Sequence, residues 1–258
     1  IAGWPSNYSA EIIVQLEVMP RPVTVTADKQ AKTYGDEDPA LTYTTIGLMD
    51  GDSLSGSLDR AAGEDVDTYA INQGTLGNSN YDITFTSDDL IIGQKALTVT
   101  VDAKTKVYDS ADPALTYTNS GLETGDSITG DLSRATGEDV GTYVINQGTL
   151  SAGSNYTISF TSADLTITAK PLAVTAAAKT KVYDSNDPAL TYSSIGLKSG
   201  DSITGDLARA TGENVGTYVI NQGSISAGSN YTISFTSADL TITAKTLTVT
   251  ADATTKVY

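Results

Sequence analysis

The sequence predicts an all-β chain built as a tandem array of modules of about 75 residues, and an immunoglobulin-like sandwich is favoured for each module. First, one text recurs: KTYGDEDPALTY at 32–43 returns as KVYDSADPALTY at 106–117 and KVYDSNDPALTY at 181–192. Second, apolar and polar residues alternate in short segments rich in Val, Ile, Thr and Tyr, which is typical of half-buried strands. Third, turn-forming residues separate these segments.

The repeat period defines the domain organisation. The same tyrosine recurs once per period, as Tyr34, Tyr108, Tyr183 and Tyr258. This period exceeds the roughly 20–50 residues of stacked solenoid repeats, so each copy is long enough to fold alone. The expected division, within a longer array, is residues 1–20 as the tail fragment of a preceding repeat, 21–95 as repeat 1, 96–170 as repeat 2, 171–245 as repeat 3 and 246–258 as the first strand of a following repeat.

The strands of one module follow from its alternating segments. In repeat 2 they are LTVTVD at 97–102, ALTYT at 114–118, SITGDL at 127–132, TYVINQ at 142–147, YTISF at 156–160 and DLTIT at 164–168. Turn formers such as SADP, TGEDVG and SAGSN stand between them. No segment has a convincing helical period, so each module should contain six or seven short strands.

A short motif before the fourth of these strands supports the sandwich. It spans Asp139–Tyr143 and recurs at Asp65–Tyr69 and Asn214–Tyr218. In immunoglobulin-like sandwiches a similar tyrosine bonds back to the chain at a corner before a core strand. Two strands follow this tyrosine where a seven-strand immunoglobulin module has one, so a β-grasp-like sheet is the alternative.

Composition narrows the functional classes. The net charge is −16, from 31 acidic and 15 basic residues, so a nucleic acid would be repelled. The chain has no Cys and no His, which removes thiol chemistry, the usual zinc ligands and imidazole catalysis. There is no apolar run of about 18–20 residues, so we expect no membrane insertion in this segment.

Clustered carboxylates are the first candidate site. They are Asp36, Glu37, Asp38, Asp50 and Asp52 in repeat 1, Asp109 and Asp112 in repeat 2, and Asp184 and Asp187 in repeat 3. Carboxylates can bind calcium or hydrolyse glycosides, but the spacing motifs of those sites are absent. We expect surface and turn acids with no catalytic, cofactor-binding or metal-binding residues. Structural calcium near the junctions stays open as an alternative.

Three further patterns have a structural and a functional interpretation. The Asp-Pro pairs at 38–39, 112–113 and 187–188 are interpreted as turns rather than recognition loops, and most of the 14 tyrosines as packing residues rather than sugar-stacking faces. Asn155 and Asn230 lie in N-glycosylation acceptor patterns, which a turn asparagine also explains. A Lys–Asn isopeptide crosslink is a hypothesis for the sets Lys32, Asn72 and Glu64; Lys106, Asn146 and Glu138; and Lys181, Asn221 and Glu213.

The junctions between repeats leave almost no linker. DLTIT runs through AKP into LAVT at 164–175, where Pro171 restricts the backbone. A dozen extended residues span roughly 40 Å. We therefore expect a semi-rigid rod rather than modules on a flexible string.

The repeated text, with its DPALTY, GTY and INQG elements, resembles the MBG/YDG family of repeats over essentially the whole chain. The resemblance implies a large bacterial cell-surface or secreted protein of the haemagglutinin-like adhesin kind, with no catalytic role and no functional residues to transfer. The expected function is a stalk or fibre segment acting as a semi-rigid spacer. The alternatives are a multivalent module that binds a glycan, a protein or a host-surface ligand, and a subunit of a filament formed by lateral or end-to-end self-association.

Overall fold

The computed structural model describes residues 13–256 and 258, so most of the predicted tail fragment, 1–12, lies outside the described residues. All regular structure in the described part is β, as predicted. Repeat 1 contains β1 Arg21–Ala27, β2 Gln30–Thr33, β3 Tyr43–Ile46, β4 Asp59–Arg60, β5 Thr68–Asn72, β6 Tyr81–Thr86 and β7 Asp89–Gly93.

The other two repeats contain the same seven strands in the same order. In repeat 2 they are β8 Lys95–Val101, β9 Lys104–Val107, β10 Tyr117–Ser120, β11 Ser133–Arg134, β12 Gly141–Asn146, β13 Tyr156–Thr161 and β14 Ala163–Thr168. In repeat 3 they are β15 Lys170–Ala176, β16 Lys179–Val182, β17 Tyr192–Ile195, β18 Ala208–Arg209, β19 Gly216–Asn221, β20 Tyr231–Thr236 and β21 Ala238–Thr243.

Each repeat forms a three-stranded and a four-stranded sheet. In repeat 1 their strand orders are β3-β1-β6 and β2-β7-β5-β4. β1 runs antiparallel to β3 but parallel to β6, with Arg21 opposite Tyr81. β2 likewise runs parallel to β7, the last strand of the repeat. The first two strands of each repeat are therefore both paired in parallel with its last two.

The core of each repeat lies between these two sheets. In repeat 1, Val25 from the three-stranded sheet packs in one cluster with Ile71 and Leu90 from the four-stranded sheet, and all three are fully buried. In repeat 3, Ala176, Ile220 and Leu240 form the corresponding cluster. The alternation of the sequence explains this arrangement, because every second side chain of a strand faces the same side.

The topology combines features of a sandwich with an unusual strand order. The described residues form two facing sheets per repeat and no helix, which fits a sandwich rather than the single sheet of the β-grasp alternative. Two strands do follow the corner tyrosine, as noted in the sequence. β6 crosses to the three-stranded sheet, and β7 returns to pair with β5.

The predicted strands of repeat 2 differ from the observed ones at several places. The strand predicted at 114–118 is observed as β10 Tyr117–Ser120. SITGDL at 127–132 precedes the two-residue strand β11 instead of forming a ladder itself. Gly130 within it has φ +84°, and a Cβ there would lie 2.3 Å from the Thr149 carbonyl oxygen, so the extended backbone is interrupted. Conversely, β9 was not predicted, because KTKV has no apolar alternation; it is held by parallel pairing with β14.

The expected first strand of a following repeat, 246–258, is exposed and irregular over its described residues 246–256. The equivalent strand β15 is held by β17 and β20.

The described chain divides into two compact units. One consists of residues 13–98, 120–128 and 151–159, and holds repeat 1 with the part of repeat 2 that contacts it. The other consists of residues 99–119, 129–150 and 160–258, and holds repeat 3 with the part of repeat 2 that contacts it. Each unit thus contains one complete contact between consecutive repeats.

Candidate functional site at the junctions between repeats

The contacts between consecutive repeats are the most elaborate polar constellations of the molecule. We call the contact of repeat 1 with repeat 2 junction 1, and that of repeat 2 with repeat 3 junction 2. At each junction the preceding repeat contributes a tail, made of the loop after its second strand and the loop before its fifth. The following repeat contributes a head, made of the start of its first strand, the loop after its third and the turn before its sixth.

At junction 1 one carboxylate joins two tyrosines from different repeats. Tyr34 of the tail donates its hydroxyl hydrogen bond to Asp126 Oδ2 of the head over 3.0 Å, and Tyr156 of the head donates to the same oxygen. The two rings pack edge to face with centroids 5.4 Å apart. Burial, and then the bond to Asp126, raises the pKa of Tyr156 to about 12. Both hydroxyls thus remain protonated donors.

An asparagine of the head clasps the tail loop. Asn155 accepts a hydrogen bond from the Val66 amide over 2.9 Å through Oδ1 and donates one to Asp65 Oδ1 over 2.8 Å through Nδ2. Both polar ends of the amide are therefore used across the junction. A glycan would be attached through the same Nδ2 that donates to Asp65, so the acceptor pattern at 155–157 coincides with a structural contact.

The chain itself crosses junction 1 without a linker. Only Gln94 separates β7 from β8, and its side chain donates to the Ser154 carbonyl over 2.9 Å. The Lys95 amide donates to the Asn155 carbonyl over 3.0 Å. Next to it, the Lys95 ammonium forms an ion pair with Glu123.

Junction 2 reproduces this arrangement one repeat later. Asp201 accepts hydrogen bonds from Tyr108 over 3.0 Å and from Tyr231 over 2.5 Å. The bond from Tyr231 is the main cause that lowers the pKa of Asp201. Asn230 accepts from the Val140 amide over 2.8 Å and donates to Asp139 over 2.8 Å. The same contacts at both sites identify a recurrent feature of the repeat rather than an accident of one boundary.

An apolar cluster continues across junction 2. Tyr108 and Ile167 of repeat 2 pack in one cluster with Leu172, Val174 and Tyr231 of repeat 3, and all five are buried. Burial of this much apolar surface strengthens the surrounding hydrogen bonds, because water is excluded from them.

Where a neighbouring repeat is not present among the described residues, the same positions are open. The tail tyrosine of repeat 3, Tyr183, is 45% exposed, against 5% for Tyr108. The head of repeat 1 keeps the bond from Tyr81 to Asp52 but has a cavity of about 360 Å³ beside it. The cavity walls include Arg21, Met49, Asn80 and Tyr81, the counterparts of Lys95, Glu123, Asn155 and Tyr156.

A second constellation, the ionic tetrad, lies inside each repeat. In repeat 2 the Lys106 ammonium contacts Asp112 Oδ1 at 2.6 Å and also Glu138, while Arg134 Nε contacts Asp112 Oδ2 at 2.6 Å and Nη2 contacts Glu138. The other tetrads are Lys32, Asp38, Arg60 and Glu64, and Lys181, Asp187, Arg209 and Glu213.

The tetrad keeps its members charged. The hydrogen bond from the arginine, followed by that from the lysine, lowers the pKa of Asp38 and of Asp187 to about 2. The lysine is the main cause that lowers the pKa of Glu138, and Asp112 is the main cause that raises the pKa of Lys106. A charged ammonium is not a nucleophile, so the tetrad is an electrostatic clamp.

The tyrosine corner connects this clamp to the junction. Tyr143 donates its hydroxyl hydrogen bond to the Asp139 carbonyl over 2.8 Å, as the sequence motif predicted. Its counterparts Tyr69 and Tyr218 bond in the same way over 2.9 Å. The Arg134 guanidinium lies 5.5 Å from the Tyr143 ring centroid, and Asp139 is the residue that contacts Asn230. The clamp therefore orders the loop that forms the tail.

The structure revises several sequence interpretations. The Asp of each Asp-Pro pair, Asp38, Asp112 or Asp187, is a tetrad member as well as a turn residue. Each lysine of the crosslink hypothesis is hydrogen-bonded to the glutamate that the hypothesis named and also to the aspartate of the Asp-Pro pair.

A metal site and a membrane-spanning helix are two further features to consider in the described part of the chain. No group of three or more His, Cys, Asp or Glu side chains suited to a metal ion occurs within residues 13–256 and 258. Among the same residues there is no helix with the length and apolar character needed to cross a membrane.

Sequence reasoning missed the residues that make the junctions. Asp126 and Asp201 were not singled out, and Asn155 was interpreted as a turn residue. Tyr34 and Asp126 are 92 residues apart and Tyr108 and Asp201 are 93 apart, which is more than one period, so no local pattern in the sequence pairs them.

The comparisons with known proteins agree with the repeat architecture. A search of curated proteins gives no match. The sequence profile described as MBG domain (YGX type) matches three successive segments, residues 23–91, 97–166 and 172–241. These matches cover most of the chain and coincide with the three seven-stranded repeats whose junctions are described above, and on this ground the chain belongs to the MBG domain family, YGX type.

Proposed function

We propose that this chain is a structural spacer, a stalk or fibre segment of a bacterial cell-surface or secreted adhesin-like protein. One observation carries the proposal: at both junctions a single residue, Gln94 or Ala169, separates the last strand of one repeat from the first strand of the next. A flexible linker needs more residues than this, particularly Gly and Ser.

The polar contacts of the junctions support the same function. Bending junction 1 would separate Tyr34 from Asp126 and Asn155 from Val66. Each hydrogen bond contributes about 1 kcal/mol net, so opening a junction costs several kcal/mol in addition to its apolar contacts. Such a junction favours one orientation of the neighbouring repeats.

Charge and composition fit an extracellular location. A net charge of −16 keeps neighbouring chains apart, and physiological salt screens the repulsion over about 8 Å. The carboxylates with the most lowered pKa, Asp38 and Asp187, are bound by cations of their own repeat. They are thus committed to structural pairs, which favours a spacer over an enzyme.

Small-angle X-ray scattering tests the spacer function. A compact globule of 258 residues has a radius of gyration of about 18 Å, whereas three globules of about 75 residues in line give about 26 Å. We expect the larger value, with little change as the salt concentration is varied. A radius of gyration close to that of the compact globule, or a profile typical of freely hinged modules, would contradict the proposal.

A second candidate function is filament assembly by addition of a further module to the head of repeat 1. The cavity beside Tyr81 is lined by Arg21, Met49 and Asn80 together with residues 18–20, and the counterpart of Asn80 in repeat 2, Asn155, binds the preceding repeat. Sedimentation at increasing protein concentration tests it: assembly gives growing species, and substitution Asp52→Ala in the head should reduce them. Binding of glycans by the unassembled chain would instead favour a multivalent binding module.

A further inference from the structure

The two junctions share their tyrosines and asparagines, and two of the positions at which they differ decide which carboxylate the head lysine pairs with. One lies in the tail, immediately after the junction tyrosine, and is Gly35 in repeat 1 and Asp109 in repeat 2. The other lies in the head, three residues before the shared carboxylate, and is Glu123 in junction 1 and Lys198 in junction 2. Both junctions keep a lysine at the start of the head strand.

In junction 1 the head lysine forms its ion pair with a carboxylate of its own repeat. Lys95 pairs with Glu123, which lies directly over Gly35. A Cβ on Gly35 would come within 2.5 Å of Glu123 Oε1. The absence of a side chain at 35 thus makes room for the acid at 123.

In junction 2 the head lysine forms its ion pair with a carboxylate of the preceding repeat. Lys170 Nζ lies 2.7 Å from Asp109 Oδ2, and the two side chains are only 27% and 29% exposed. At the position of Glu123 stands Lys198, whose ammonium lies 4.9 Å from the centroid of the Tyr108 ring. Asp109 adopts φ +66°, so an aspartate takes the left-handed conformation that Gly35 has at φ +82°.

If each head were combined with the tail of the other junction, the charges around both head lysines would no longer be matched. A tail with Asp109 against a head with Lys95 and Glu123 would place two carboxylates beside one ammonium, with a steric overlap at the first. A tail with Gly35 against Lys170 and Lys198 would remove the carboxylate that pairs with Lys170 in junction 2. Like charges at a partly buried contact disfavour the wrong pairing more strongly than they reward the right one.

We propose that the junctions are of two non-interchangeable kinds, and that the residues at 35 and 123, or 109 and 198, specify which repeat docks behind which. This inference deepens the proposed spacer function and rests on it, because repeat order matters only in an array. It also assigns partners to the two open faces. The head of repeat 1, with Arg21 and Met49, fits a tail carrying an acid. The tail of repeat 3 resembles that of repeat 2, because its Asp184 pairs with Lys245, the counterpart of Lys170.

A double-mutant cycle in junction 1 tests the proposal. The variants are Gly35→Asp, Glu123→Lys and both together, and the readout is native-state hydrogen exchange of the Val66 amide, which Asn155 holds only while the junction is closed. Each single substitution should accelerate exchange about tenfold, equivalent to about 1.4 kcal/mol. The double variant, which carries the residues of junction 2 at these two positions, should return to within about threefold of the parent.

Two controls isolate the effect. The Val140 amide of junction 2 should exchange at the parental rate in all three variants. Glu37→Lys makes the same charge change at an exposed side chain of the same loop and should leave Val66 unchanged. Additive acceleration in the double variant, or no acceleration in either single variant, would overturn the pairing rule. These outcomes are independent of the scattering experiment, which tests the spacer function alone.

Discussion

Asn155, which binds the tail loop at junction 1, offers a direct test of the junction contacts. Asn155→Ala removes one hydrogen bond accepted from the Val66 amide and one donated to Asp65. Each is worth about 1 kcal/mol in a partly exposed setting, and the Val66 amide loses its partner across the junction. We expect the junction to be weakened by about 2 kcal/mol, a factor of about 30 in its opening equilibrium.

Repeat 1 provides the matched control. Asn80 occupies the same position as Asn155, but among the described residues it contacts no preceding repeat, and its side chain is exposed. Asn80→Ala therefore makes the same chemical change without a junction to break. It should alter stability by less than about 0.5 kcal/mol.

Hydrogen exchange followed by NMR or mass spectrometry measures both variants. In Asn155→Ala the Val66 amide should exchange about 30-fold faster, while the buried strand amide of Ile71 keeps its rate. Equal effects of the two variants on the exchange rate of the Val66 amide, or an unchanged rate in Asn155→Ala, would refute the conclusion that Asn155 holds junction 1 closed.

Three further predictions concern the tetrad, the core and the shared carboxylate. The tetrad lowers the folded-state pKa of Asp38 and Asp187 to about 2, whereas the unfolded-state pKa of an aspartate is near 4. The contribution of the tetrad to the free energy of unfolding is therefore present above pH 4 and is lost as the pH falls towards 2. Urea unfolding midpoints measured from pH 6 to pH 2 should decline in that window. Ile145→Ala, at a fully buried position, should cost about 2–5 kcal/mol in denaturant unfolding, whereas Val144→Ala, 44% exposed, should cost less than about 0.5 kcal/mol. Tyr108→Phe should lower stability by about 1 kcal/mol through loss of its bond to Asp201, while Tyr183→Phe, with an exposed ring, should leave the thermal midpoint unchanged.

The sequence was most informative where local pattern decides the structure. YTISF and DLTIT alternate strictly, and they form β13 and β14 close to the predicted bounds. The corner motif at 139–143 also forms its predicted bond, because the tyrosine and the carbonyl are only four residues apart. In both cases the deciding interactions lie within a few residues of each other.

Local pattern failed where the partner is distant in sequence. KTKV forms β9 only because β14, at the far end of the same repeat, offers a parallel edge. Asn155 has the composition of an ordinary turn, and nothing nearby shows that its amide reaches residues 65 and 66 of the preceding repeat. The repeat makes such contacts visible only when one copy is compared with the next.

The parallel pairing of the first and last strands has a consequence for a chain under tension. In repeat 1, β2 and β7 run side by side in the same direction, with Gln30 opposite Leu90 and Thr33 opposite Gly93. Force entering through β1 and leaving through Gly93 pulls these neighbours in opposite directions along their length, so the hydrogen bonds between them are sheared together. In a repeat loaded in this way, the hydrogen bonds between the two strands must break together rather than one after another. Each repeat therefore resists force as one mechanical unit.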